Sequence, residues 1–183
     1  MIKKDFIVKA AKFAEEAHKG QVRKYSLRPY ITHPGRVAAS VTIHDIASPT
    51  TVAAAWTHDV VEDTKYSLDD VANILSDDVS KLVDELTNPS KGVKAPRRVR
   101  KEMDRDHLKN VSHEAKILKL LDRTDNIQEM IWDFGLFGEN ERDFARLYAK
   151  ESRLLVSVIE FTDKVLVHNL YNLINDLTDL VRK

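Results

Sequence analysis

Helical periodicity with almost nothing to interrupt it is the feature that most limits what this 183-residue chain can become. Gly and Pro, which punctuate elements most strongly, number only five each. Apolar residues recur at helical spacing along most of the chain, and no alternating apolar run of useful length appears, so strands are not expected. The pattern predicts helices near 3–19, 34–45, 50–62, 68–75, 78–87, 95–110, 113–133, 140–160 and 164–181. Several carry start or stop signals: Gly20 after the first, Ser48 before Pro49, Ser67 with Asp70 as a capping box, and Asp77 and Ser112 as N-caps. The length suits one domain with a real core. The expectation is therefore an all-α fold, a single domain spanning 1–183.

Charge narrows the partners. Lys plus Arg equals Asp plus Glu, 29 each, so the net charge is zero. That argues against a general nucleic-acid or membrane surface, which would need a basic excess. Nothing approaches 18 consecutive apolar residues, and Met1–Asp5 leads directly into an amphipathic pattern, so neither a membrane span nor a signal peptide is expected. The absence of cysteine excludes disulfide, iron–sulfur and thiolate-zinc chemistry. The expected setting is cytoplasmic. The C-terminal stripe of Leu166, Leu170, Leu173, Ile174, Leu177 and Leu180 reads as core packing, and monomer and homodimer both stay open.

Chemistry concentrates in Ala53–Thr64, AAAWTHDVVEDT. Adjacent His58 and Asp59 diverge by about 100° around a helix, so they cannot share one face, but one ion can hold both. Glu62 follows His58 by one turn. In PYITHPGRVAA, His33 stands beside Pro34, a residue favoured where helices begin. In KILKLLDRTDNI, Asp122 sits within an apolar run, where an acid is costly to bury without a partner. His33, His58, Asp59 and Asp122 form a mixed nitrogen–oxygen set suited to a hard or borderline divalent ion. Mn²⁺ is the natural candidate, and Fe²⁺, Co²⁺, Ni²⁺ and Zn²⁺ remain open. His18, His44, His107, His113 and His168 read as surface or capping residues.

The order H…HD…D, within HPxxVA, HDVVEDT and LxDRxxN and after QVRK and PYITHP, resembles the HD-domain phosphohydrolases. More narrowly, it is similar to the hydrolase domain of the RelA/SpoT alarmone enzymes and their stand-alone small relatives, over about Phe6 to Asn126 and less closely to Tyr148. The resemblance implies a helical bundle of about eight to ten helices. It also implies a Mn²⁺-dependent enzyme that removes the 3′-pyrophosphate from (p)ppGpp, with (p)ppApp as an additional or alternative substrate. The chain is too short for the synthetase domain of the large relatives, so degradation alone is expected. Glu62 and Asp63 match the acidic pair that orients water and takes its proton. Arg23 matches an Arg that stacks on the purine, Lys24 a Lys near the phosphates, Asn126 a ribose contact and Tyr148 an aromatic residue near the 5′-phosphates. Arg97, with Arg98, Arg100 and Lys101, forms a basic cluster able to clamp phosphate bidentately.

Two positions depart from that pattern. The loop after Arg23 reads KYSLR, without the glycine common in these enzymes, and Asp125 stands where the long enzymes carry His and some small ones Tyr. Asp125 is expected to add charge near the nucleotide or a polar contact to its base. The competing readings are a general HD phosphohydrolase acting on nucleoside monophosphates, dNTPs or cyclic nucleotides, and a metal-loaded module that senses a nucleotide without cleaving it. The EDT extension and the RK pair speak against the former, and intact Glu62 and Asp63 against the latter.

Overall fold

The structure, a computed structural model, describes residues 2–182. Among them are ten α-helices: α1 (Ile2–Ala17), α2 (Thr32–Thr42), α3 (Pro49–Thr57), α4 (Val60–Asp63), α5 (Leu68–Ile74), α6 (Asp77–Leu86), α7 (Arg97–Lys109), α8 (His113–Trp132), α9 (Glu139–Val156) and α10 (Lys164–Leu180). A 3₁₀ turn at Phe134–Leu136 joins α8 to α9. The nearest thing to a strand among the described residues is one antiparallel bridge, Val22 with Pro29, which closes the loop between α1 and α2. The all-α expectation holds.

Two helices organise the core. In α8, Ile117, Leu118, Leu120, Leu121, Ile127 and Met130 are buried, and the helix packs against α2, α6, α9 and α10. In α3, the run Ala53-Ala54-Ala55 is fully buried, and side chains this small let α1, α2 and α6 approach it closely. The stripe on α10 buries Val167, Leu170, Ile174 and Leu177 against α8 and α9, which is core packing within this chain.

Local chemistry accounts for the boundaries. Ser48 and Ser67 each form a reciprocal capping box, with Thr51 and Asp70, and Ser112 caps α8. The expected cap at Asp77 is displaced by one residue. Extended Ser76 accepts from the Val79 amide, leaving Asp77 in the first turn, where its charge complements the helix dipole.

The predicted helix 50–62 is broken between Thr57 and Val60. The Thr57 hydroxyl donates to the Ala53 carbonyl at 2.9 Å, and His58 Nδ1 lies 2.8 Å from the Ala55 carbonyl. Side chains thus compete with backbone amides for the last carbonyls of α3, which loosens its ladder. His58 and Asp59 occupy that loosened junction.

Candidate active site

Three parts of the fold meet behind the α1–α2 loop. α2 brings His33, the α3–α4 junction brings His58 and Asp59, and the middle of α8 brings Asp122. Pro34 falls at the third position of α2, two residues later than its predicted place, but still within the first turn, where its missing N–H costs nothing. His33, His58 and Asp59 each offer one ligand atom, all within 4.8 Å of one another. Asp122 Oδ1 lies 3.3 Å from His33 Nε2 and 3.8 Å from His58 Nε2. Asp59 Oδ2 lies 3.6 and 3.2 Å from the same two nitrogens.

The donor set fits a divalent cation. His58 Nε2 is fully buried and makes no hydrogen bond among the described residues, although Asp59 Oδ2 is near. Such an orphaned buried nitrogen is costly, and it faces shared space between the side chains. His58 is turned by its Nδ1 contact with the Ala55 carbonyl, and His33 by Nδ1 contact with Asp125 Oδ2 at 2.6 Å. Each anchor takes the Nδ1 proton and turns Nε2 into the cluster, where a cation would displace any proton on that nitrogen, the usual outer arrangement of histidine ligands.

The charges are tightly opposed. Burial alone would pull the His58 imidazole down, but Asp59 and Asp122 outweigh it and hold it up at about 9. Burial acts to raise the Asp59 carboxyl, and His58 with His33 reverses this, holding it well below the usual carboxylate range. Asp122 is likewise held low against burial by Lys119 and His33. Lys119 Nζ lies 3.3 Å from Asp122 Oδ2. This half-buried lysine is a site feature the sequence reading missed; its signal was the spacing of three residues from Asp122 within one helix.

The acidic pair after His58 divides. The Glu62 carboxylate accepts from the Asn88 amide at 2.5 Å and from Asn88 Nδ2 at 3.1 Å, so both of its oxygens are engaged by the segment after α6. Asp63 turns toward Tyr30, whose hydroxyl lies 2.6 Å from Asp59 Oδ2 and 3.0 Å from Asp63 Oδ2. One phenolic proton cannot serve two carboxylates. Burial and the Asp59 charge push the Asp63 carboxyl up, and the Tyr30 hydroxyl stands between the two carboxylates. His18, expected as a surface or capping residue, follows the last residue of α1 and is buried. Its ring stacks on Tyr30 at 4.6 Å, and Nδ1 lies 2.8 Å from Gln21 Oε1. The aromatic contact wins because the α1–α2 loop folds back over the end of α1.

Beside the cluster lies a cavity of about 260 Å³ lined by Arg23, Lys24, Asn126 and Tyr148 together with Tyr25, Tyr30, Glu129, Met130 and Phe144. Four of the five residues expected at the substrate thus share one wall. Asn126 joins the two regions: Nδ2 donates to Asp122 Oδ1 at 2.6 Å, and Oδ1 accepts from Arg23 Nη2 at 2.7 Å. Lys24 Nζ sits 4.8 Å from the centre of the Phe144 ring. Arg97, the fifth, is outside the lining and makes a bidentate pair with Glu151 at 2.7 and 2.8 Å. Asp125 also lies outside the lining and points at His33 and Arg36, contrary to its expected place near the base; the partners that redirect it come from α2, 89 and 92 residues away in sequence.

The HD-domain family profile matches residues 10–147. The guanosine-3′,5′-bis(diphosphate) 3′-pyrophosphohydrolase MESH1 of Xenopus tropicalis is 35% identical over 127 residues, which cover 68% of this chain and 69% of that one. A GTP pyrophosphokinase of Streptomyces coelicolor is 37% identical over 127 residues, but these span only 14% of its length. Among solved structures, a metazoan ortholog of SpoT that hydrolyzes ppGpp superposes with a TM-score of 0.77 at 26% identity, covering 93% of this chain and 94% of the other. A Listeria monocytogenes protein with a TM-score of 0.64 at 20% identity, covering 82% and 98%, shares the fold. This chain belongs to the HD-domain family, on the branch occupied by the stand-alone guanosine-3′,5′-bis(diphosphate) 3′-pyrophosphohydrolases.

Proposed function

We propose that the protein is a manganese-dependent hydrolase that removes the 3′-pyrophosphate from ppGpp and pppGpp, leaving GDP and GTP. One observation carries the reading: an N/O cluster with an unsatisfied buried His58 Nε2 is joined through Asn126 to a cavity with a basic, aromatic wall. The names of the similar proteins support the same substrate class.

His33, His58, Asp59 and Asp122 are the residues that would hold the ion. When bound, a divalent cation supplies Lewis acidity, lowering the pKa of water and offsetting phosphoryl charge. Mn²⁺ suits a set of two imidazoles and two carboxylates, and other divalent ions suit it nearly as well. The chain's own groups do the rest. Arg23 is fixed by Glu129 and Asn126, with its guanidinium 5.3 Å from the centre of the Tyr30 ring. It lines the cavity, where a planar guanidinium is suited to stack on a purine. In this reading Lys24 at the same wall meets the phosphates, Tyr148 borders the 5′ end, and Asn126 contacts the ribose. Arg97, 5.5 Å from the centre of the Phe144 ring, would clamp a phosphate only on exchanging its bidentate pair with Glu151 for the substrate.

In this reading Asp63 exchanges a proton through Tyr30, and Glu62, once released from Asn88, orients water. Positioning and charge stabilisation of this kind are what phosphoryl transfer needs most. The adenine counterparts ppApp and pppApp are competing substrates in this reading, because the Lys24–Arg28 loop that shapes the base pocket departs from the family pattern.

His58→Ala and Asp59→Ala should each abolish Mn²⁺-dependent release of pyrophosphate from ppGpp while circular dichroism stays helical. Full turnover in either variant would remove these residues from the site. Faster turnover of dGTP or AMP than of any 3′-pyrophosphorylated nucleotide would move the protein to the wider HD class.

A further inference from the structure

Asp125 occupies a position of α8 from which the sequence suggests contact with the nucleotide, yet its carboxylate is fully engaged elsewhere. Oδ2 lies 2.6 Å from His33 Nδ1 and accepts from Arg36 Nη2 at 2.9 Å, and Oδ1 accepts from Arg36 Nε at 2.5 Å. The same Arg36 Nη2 lies 2.6 Å from Glu129 Oε2, which also accepts from Arg23 Nε at 2.9 Å. Arg23 then donates to Asn126, and Asn126 to Asp122. The contacts close a ring from one member of the cluster, His33, to another, Asp122, by way of the cavity wall. Two guanidinium groups and two carboxylates alternate within it, so the charges compensate one another in a partly buried setting.

Resting on the cation-site reading above, we propose that Asp125 is the positioning residue of His33. It holds the imidazole in the tautomer and rotation that turn Nε2 toward the cation. Arg36 clamps Asp125 for that task and, through Glu129, ties it to Arg23 of the nucleotide wall. His58 has only the neutral Ala55 carbonyl behind it, whereas a carboxylate behind His33 also raises the basicity of its free nitrogen. This is a different role from base contact, and the arrangement explains it: His33 Nδ1 is buried and needs an acceptor, and no other hydrogen-bond partner for that atom is present among the described residues.

The test is Mn²⁺ binding by EDTA-treated protein, followed by calorimetry and by electron paramagnetic resonance of free Mn²⁺, with circular dichroism as a control of folding. Asp125→Asn should weaken Mn²⁺ binding by about 10- to 100-fold, the range for loss of such an outer partner. In a His33→Ala background the same substitution should change affinity by less than about threefold, since its effect passes through His33. Asp125→Glu should restore part of the loss, and Arg36→Met should weaken binding by a smaller factor than Asp125→Asn. An Asp125→Asn protein that binds like wild type would overturn the inference. So would an equal loss with and without His33, which would make Asp125 a general charge rather than a positioning group. A wild type that binds Mn²⁺ but leaves ppGpp intact would sink the substrate reading and leave this inference standing; one that takes up no Mn²⁺ would overturn both.

Discussion

Raising the pH of the cation-free protein should destabilise it across the window in which His58 loses its proton. The ring is buried, with Nε2 at 3.2 Å from Asp59 Oδ2 and 3.8 Å from Asp122 Oδ1. Burial disfavours the imidazolium, but the two carboxylates outweigh burial and hold the group at about 9, against 6.5 for an ordinary histidine. A folded-state pKa above the unfolded value means stability that is fully present below pH 6.5 and is lost as pH rises through about 9. At about 1.4 kcal/mol per unit, the shift corresponds to roughly 3 kcal/mol. That is a large part of the ~5–15 kcal/mol that holds a typical domain together. The assay is urea unfolding in EDTA at half-unit steps from pH 6 to 9.5, beside His58→Asn, which keeps a donor for the Ala55 carbonyl but cannot titrate. Wild type should lose stability steadily over this range and the variant much less. A flat or rising wild-type profile, or the same slope in His58→Asn, would refute the reasoning. Saturating Mn²⁺ competes with the proton, so it should flatten the wild-type slope.

Backbone positions near the site give two further expectations. A Cβ at Gly35 would meet Trp56 Cη2 at 3.1 Å and Cζ3 at 3.3 Å. In Gly35→Ala the helical gain of about 0.5–1 kcal/mol is therefore outweighed by an overpacking cost of about 1–3 kcal/mol. Thermal unfolding should shift down by about 2–4 °C, and an upward shift would show that Trp56 yields freely. Leu27 is exposed and adopts φ +56°, in the loop that lacks the expected glycine. Leu27→Gly should relieve about 1–2 kcal/mol of left-handed strain against about 0.4–1 kcal/mol of added unfolded-chain entropy. A small net gain in urea stability is expected; a loss would mean that Leu27 packs or that the loop is not strained.

Helix content was legible because it rests on short-range signals. The 3.6-residue period, Ser48, Ser67 and Ser112 all act within a turn or two of where they stand. The HDVVEDT segment with its flanking motifs likewise pointed to the family and to the residues that the fold gathers around one space. What stayed hidden depends on which surfaces meet. Nothing near Tyr30 in sequence says that its hydroxyl will lie between Asp59 and Asp63, 29 and 33 residues on. Asp125 looks like a free acid until α2 supplies His33 and Arg36. His18 looks like a helix-end residue until the loop lays Tyr30 over it. The break at His58 is local, but it turns on whether side chains or amides win the carbonyls of α3, a competition that periodicity does not register.

The most direct measurement follows ppGpp by phosphorus NMR with EDTA-stripped protein to which Mn²⁺ has been restored. The expected result is conversion to equimolar GDP and inorganic pyrophosphate, dependent on the added ion. Stepwise release of orthophosphate, loss of the 5′-phosphates, or unchanged ppGpp at saturating Mn²⁺ would contradict a 3′-pyrophosphohydrolase.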